Sequence, residues 1–248
     1  MKNRHYINFF RTGIAVLMAA PFSVQADDRI IEREIPQMKE APVIDGDLSD
    51  WDISAFSLGS LAWKSRGDFG ADVRLAWDKK NVYIAVTVSD QKLVNTNEPA
   101  SGLYRGDQVR VRMSAMPGGQ GGRFKEGDRE LFIAPTSANG EPACTFKSGG
   151  EPAQVIPAEG GDLEWAVETH KGGYRVECRI PASLLGAKYF KKGDDALAYV
   201  LAVYDRDDPN KDEWSQFHTR LETSEMKSAP AKWPLLRLAE EVLVLDMP

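Results

Sequence analysis

This 248-residue chain has little of what common catalysts and membrane proteins are built from. It holds three His, at 5, 170 and 218, and no His-x-x-x-His pair, so the usual zinc-hydrolase spacing is absent. No Gly-x-Ser-x-Gly elbow occurs. The Gly-rich stretch from Pro117 to Gly127 lacks a Gly-Lys-Ser/Thr ending, which excludes a phosphate-cradling loop and leaves a surface loop. Acidic residues are plentiful, yet no two are singled out as a glycosidase pair. No catalytic constellation is recognisable. Basic residues are the minority, 31 Lys and Arg against 37 Asp and Glu, net −6. That balance argues against non-specific binding to nucleic acid or anionic lipid. The only long apolar run, Gly13 to Phe22, is too short to span a bilayer comfortably. There is no internal repeat and no low-complexity tract.

The apolar run has another reading. Lys2, Arg4 and Arg11 precede it, and Ser23-Val24-Gln25-Ala26 follows. This is the charged, apolar and small-residue order of a signal peptide, with cleavage expected after Ala26. Residues 1–26 are thus expected to be a leader and 27–248 a single exported domain, periplasmic or extracellular, with no transmembrane span. The mature chain would carry 28 basic against 37 acidic residues, net −9. A domain of this size buries roughly 70% of its unfolded surface and needs no disulfide framework. Cys144 and Cys178 are the two Cys present. Export permits one disulfide between them, and two buried free thiols fit equally well.

Strand signals dominate the rest. From Ala71 to Asp90, Val73, Leu75 and Trp77 alternate with polar residues. Asp78-Lys79-Lys80-Asn81 breaks the pattern, and Val82, Ile84, Val86 and Val88 resume it. This predicts a hairpin. A third run, Gly106 to Met113, sets Val109, Val111 and Met113 against Gln108, Arg110 and Arg112. The three are expected to form one wall with a single buried side. Further strands are predicted at Glu130–Ala134, Ala143–Lys147, Leu163–Thr169, Tyr174–Ile180, Ala196–Tyr204, Leu235–Leu238 and Val242–Leu245, with an edge strand near Ile30–Ile35. The expected fold is all-β, an antiparallel β-sandwich, jelly-roll-like, with one or two short helical turns such as Pro181–Gly186.

Several motifs then resemble one family in order. Val43-Ile44-Asp45-Gly46-Asp47-Leu48-Ser49-Asp50-Trp51 is similar to the "IDG…L…W" opening of family 9 carbohydrate-binding modules and related DOMON-like domains. Val82 to Asp90 resembles the "LYV…V.D" strand, and Gly106 to Val111 the "D.VEL" strand. Gly173 to Pro181 resembles the "GY..E..IP" exit. Asp205-Arg206-Asp207, Trp214 and Lys232-Trp233-Pro234 complete the order. Arg110 and Arg112 stand where the family usually has an acidic residue.

The resemblance implies a non-catalytic protein that binds a glycan or small sugar and can join a periplasmic or cell-surface complex; an accessory protein of a glycan-degrading system is an alternative. Sugar recognition needs flat aromatic faces rimmed by hydrogen-bonding groups. Trp63, Trp214 and Tyr104 lie among polar loop residues and are the candidate aromatics, with Arg110 and Arg112 as polar contacts. Trp51 and Trp77 read as core. The family resemblance also implies structural calcium, for which Asp45 and Asp47, Asp90 and Asp107, and Asp205 and Asp207 are the candidate ligands. Turn-forming Asp residues account for each loop equally well. The DOMON-like resemblance offers haem as an alternative cofactor, with Met113 and His170 or His218 as the nameable axial pair.

Overall fold

The computed structural model describes residues 31–53, 56–57, 59–60, 69–99, 103–114, 128–149, 151–158, 160–193, 196–210, 215–218 and 233–239. The expected leader, Trp63, Trp214 and the strand expected at 242–245 lie outside them. No helix of the described residues is long and apolar enough to cross a membrane.

The described strands are β1 (Ile31–Ile35), β2 (Phe56–Ser57), β3 (Gly59–Ser60), β4 (Gly70–Trp77), β5 (Asn81–Ser89), β6 (Gln108–Ser114) and β7 (Asp128–Ala134). They continue with β8 (Ala143–Ser148), β9 (Gln154–Ile156), β10 (Glu164–His170), β11 (Gly173–Pro181), β12 (Ala196–Asp205), β13 (Ser215–His218) and β14 (Leu235–Leu238). The shorter sheet runs β10-β11-β5-β4-β2. The longer runs β1-β14-β12-β6-β7-β8-β9, with β13 beside β12 and β3 beside β13. Pairing is antiparallel except for β1 on β14, which is parallel. Leu48–Asp50 and Ala182–Leu185 are short 3-10 turns. The second ends on Gly186 at φ 79°, a left-handed stop that glycine supplies.

The sheets stack on one core. Val73, Leu75, Trp77, Ile84, Val86, Val176 and Cys178 of the shorter sheet meet Val109, Val111, Met113, Ile133, Cys144, Tyr199 and Leu201 of the longer. The chain is an all-β sandwich, as its alternation predicts. Cys144 and Cys178 are free thiols buried on facing sheets. Burial pushes both thiols up, and for Cys144 the nearby Cys178 adds to the effect.

Two expectations are corrected. The third run does not share a wall with the hairpin: β4 and β5 lie in the shorter sheet, and β6 lies in the longer, between β12 and β7. Alternation shows which side of a strand is apolar but not which sheet it joins, and residues 90–107 are long enough to cross the sandwich. Nor has the hairpin a single buried side. Ala76, Tyr83 and Ala85 face away from the core and are buried beneath Trp51, with Met38, Ile44, Leu48 and Ile53 around it. The opening segment folds over the outside of the shorter sheet and dries it.

Glu177 holds that segment down. It is buried at the centre of β11. Its carboxylate accepts the amide of Asp45 at 3.0 Å, the amide of Gly46 and the indole Nε1–H of Trp51 at 2.6 Å. Burial raises its pKa, and the three N–H donors oppose the rise. Gly46 sits at φ 95°, and a Cβ there would lie 2.9 Å from Glu168 Cβ. The Asp45-Gly46 turn therefore needs glycine both for its φ and for the close approach to β10.

Candidate functional site

The outer face of the longer sheet is set by register. Arg112 pairs with Val200 on β12 and Glu130 on β7, and Glu130 pairs with Lys147 on β8. One step along, Arg110 pairs with Ala202 and Phe132. Directly opposed residues share a face, so Arg110, Arg112, Glu130, Phe132 and Lys147 form one patch. Arg110 Nε and Arg112 Nε each donate to Glu130 Oε1 at 2.7 Å, and Arg110 Nη2 donates to the same oxygen. Arg110 Nη1 lies 3.4 Å from the Tyr204 hydroxyl. Its guanidinium sits 4.9 Å over the Phe132 ring. The side chains keep a little contact with solvent: 19% for Arg110, 10% for Glu130 and 5% for Arg112. Sequence reasoning missed Glu130, Phe132 and Tyr204 because their roles depend on cross-strand register.

Tyr104 lies at the rim of this face. Its neighbour Leu103 is buried against Phe132, Ala134 and Ala143 on the outer side of the sheet. Tyr104 itself is 50% exposed, with Arg105 stacked 5.4 Å from its ring centroid. Tyr104 and Arg110 are thus linked to one face through Leu103 and Phe132. Trp51, Trp77, Trp165 and Trp233 are all buried.

A second polar site closes one end of the sandwich. Asp90 follows β5 in the shorter sheet; Asp205 ends β12 in the longer, with Asp207 just beyond. Carboxylate oxygens of these three lie within 4.8 Å of one another. Asp107, just before β6, accepts the amides of Val94 and Arg206, the latter at 2.8 Å. Its pKa is pushed up to about 8, chiefly by burial, and the charges of Asp90 and Asp205 add to the rise. Tyr174 on β11 is fully buried, and its hydroxyl has no hydrogen-bond partner among the described residues. Its pKa is raised first by burial and then by Asp107, Asp90 and Asp205. The chain thus brings together four of the six expected metal ligands, from segments more than 80 residues apart in sequence.

Asp45 and Asp47 stand elsewhere, in the opening turn. Asp45 Oδ1 accepts the Asp47 amide at 2.9 Å, and Asp47 accepts the amide and hydroxyl of Ser49, both at 3.1 Å. They shape their own turn. Of the haem candidates, Met113 is buried in the core and His170 is exposed at the β10–β11 turn. The side chain of His218 lies outside the described residues.

The fold and these sites define a β-sandwich with a polar outer face and an acidic end that joins its two sheets. The model of the "Carbohydrate family 9 binding domain-like" family matches residues 47–239, and the chain belongs to that family. A family 9 carbohydrate-binding module from Caldicellulosiruptor kristjanssonii, in complex with cellotriose, matches with a TM-score of 0.62 and 17% identity. The match covers 87% of this chain and 98% of that one. A family 9 module of the same organism in complex with glucose gives 0.61 and 17%, covering 87% and 100%. At such identity the likeness is one of fold. No curated protein sequence matches the chain.

Proposed function

We propose that this is an exported, non-catalytic protein that binds a sugar on the outer face of its longer sheet. The observation that carries the reading is the Arg110–Glu130–Arg112 cluster beside Phe132 and Tyr204, with Tyr104 exposed at its rim. Hydrogen-bond donors held at fixed angles suit sugar hydroxyls, and an exposed aromatic ring suits the C–H face of a pyranose. Trp63 and Trp214 are proposed as further stacking surfaces. The leader-like residues 1–26 support export. Isothermal titration against a panel of neutral and acidic oligosaccharides, with calcium present, tests the reading. Saturable heat with at least one glycan is expected; none with any member overturns it.

We further propose that Asp90, Asp205 and Asp207, with Asp107 behind them, hold a calcium ion. Converging carboxylates suit a hard cation that takes oxygen ligands. The buried Tyr174 hydroxyl next to them fits the same reading. Such an ion would neutralise clustered charge and tie β5 to β12, and hence one sheet to the other. A calcium titration by calorimetry and by thermal melting tests it: binding with a raised melting temperature is expected, and neither with calcium nor magnesium refutes it.

A further inference from the structure

Tyr104 and Arg105 form the exposed tip of a turn whose feet are buried: Leu103 on one side, Gly106 on the other. Both feet rest on Asn95, itself 4% exposed. Asn95 Nδ2 donates to the Leu103 carbonyl at 3.1 Å and lies 3.4 Å from the Asp107 carbonyl. Its Oδ1 accepts the amide of Asn97 at 3.1 Å and Asn97 Nδ2 at 2.9 Å. Gly106 lies hard against the same side chain, since a Cβ there would stand 2.4 Å from Asn95 Cγ. The feet are thus fixed from within, and the tip must be fixed from elsewhere.

The tip is tied to the acidic end of the sandwich. Arg206 lies between Asp205 and Asp207 in the chain. Its amide donates to Asp107 Oδ1 at 2.8 Å. Its guanidinium donates through Nη1 to the Arg105 carbonyl at 2.8 Å and through Nη2 to the Pro209 carbonyl at 2.9 Å. Its Nε donates to the Asp208 carbonyl at 3.3 Å. The donors of a guanidinium stand in a flat fork at fixed angles, so a fork that meets three carbonyls sets their spacing. A change in the course of the chain after β12 therefore reaches the residue next to Tyr104 through one side chain.

Such a change follows from the charges on either side of Arg206. Asp205 and Asp207 belong to the three carboxylates whose oxygens lie within 4.8 Å of one another. Like charges so close repel, and a cation held among them draws them together. Asp205 ends β12, whereas Asp207 lies beyond the strand, so Asp207 is the one whose place depends on that balance.

We propose that Arg206 positions Tyr104 for the sugar, so that sugar affinity depends on calcium held at the acidic end. The proposal rests on the two readings above and adds that the two sites are coupled. Arg206 is a positioning residue, acting through the Arg105 carbonyl. Coupling between binding sites is reciprocal, so bound sugar raises the affinity for calcium by the same factor.

The test is calorimetry in saturating calcium and in chelator, below the melting range of both forms. Cellotriose, xylotriose and every further member of the panel above that gives saturable heat serve as probes. At least one is expected to bind about fivefold tighter, or more, with calcium present, and to tighten calcium equally. Hydrogen exchange at residues 103–106 is expected to quicken on chelation while β5, β6 and β12 stay protected. Tyr104→Ala, at an exposed position, is expected to fold, to bind sugar more weakly and to lose the calcium dependence. Arg206→Lys keeps the charge and loses the fork. With calcium its sugar affinity is expected to fall to near the parent's value in chelator, while it still binds calcium. If melting curves show that Arg206→Lys is unfolded, Tyr104→Ala and hydrogen exchange decide. Equal sugar affinity with and without calcium overturns the coupling and leaves both earlier readings standing. A calcium dependence that survives in Tyr104→Ala overturns the route through Arg206. No heat with any sugar overturns the sugar reading, no heat with calcium overturns the calcium reading, and either result overturns this proposal too.

Discussion

Removing the Glu177 carboxylate should loosen the opening segment from the shorter sheet. The side chain is 0% exposed and receives three N–H donors, two from the Asp45-Gly46 turn and one from Trp51. Glu177→Ala leaves all three without an acceptor in a dry site. Each orphaned donor costs about 1–3 kcal/mol, so the loss should be about 3–6 kcal/mol once the relief of a buried charge is set against it. That is a large part of the roughly 5–15 kcal/mol that holds a domain folded. Glu177→Gln keeps the shape and one acceptor oxygen, but turns an NH2 toward a donor. It should cost less, about 1–3 kcal/mol. Urea unfolding followed by tryptophan fluorescence reads the difference from the midpoint and slope. Hydrogen exchange at the Gly46 amide should accelerate in both variants even where the core stays protected. An Ala variant within about 1 kcal/mol of the parent, with Gly46 exchange unchanged, would refute the claim that this carboxylate anchors the segment.

Three other outcomes are expected. Asp107 has a folded-state pKa of about 8, above the ordinary carboxylate value, so the folded protein keeps a proton that the unfolded chain releases. Without calcium, stability should therefore be greatest below about pH 4 with respect to this group and fall as pH rises to about 8, by about 2–5 kcal/mol. Saturating calcium should flatten that fall; urea unfolding at several pH values, with chelator and with calcium, measures both. Gly173 has φ 152°, and a Cβ there would lie 1.9 Å from the Val88 carbonyl oxygen. Gly173→Ala should thus cost at least about 2 kcal/mol, whereas Gly140→Ala, strained in φ but facing open space, should cost less; thermal melting ranks the two. Cys144 and Cys178, buried with their thiols pushed up, should resist a thiol reagent in the folded protein and react fully in denaturant.

Much of the architecture was legible in the chain. Val73-Leu75-Trp77 and the run Val82 to Val88 announced their strands because a two-residue period is a local property. The Gly172-Gly173 pair announced a turn for the same reason. Ala196–Tyr204, apolar on both sides, announced a central strand, and β12 has neighbours on both edges. Trp51 and Trp77 were readable as core, one beneath a turn and one in phase with its strand. The Asp residues at 90, 107, 205 and 207 were readable as candidate oxygen ligands. Their convergence was not, because it arises where strand ends from both sheets meet.

What the sequence alone determined is the kind of element each segment forms and the family to which their order belongs. Both follow from neighbours along the chain. The tertiary structure decided which sheet β6 joins, that the outside of the hairpin is dry, and that Arg110, Arg112 and Glu130 share one oxygen. Those facts depend on register between strands far apart in sequence, and register is fixed only when two sheets close on a common core.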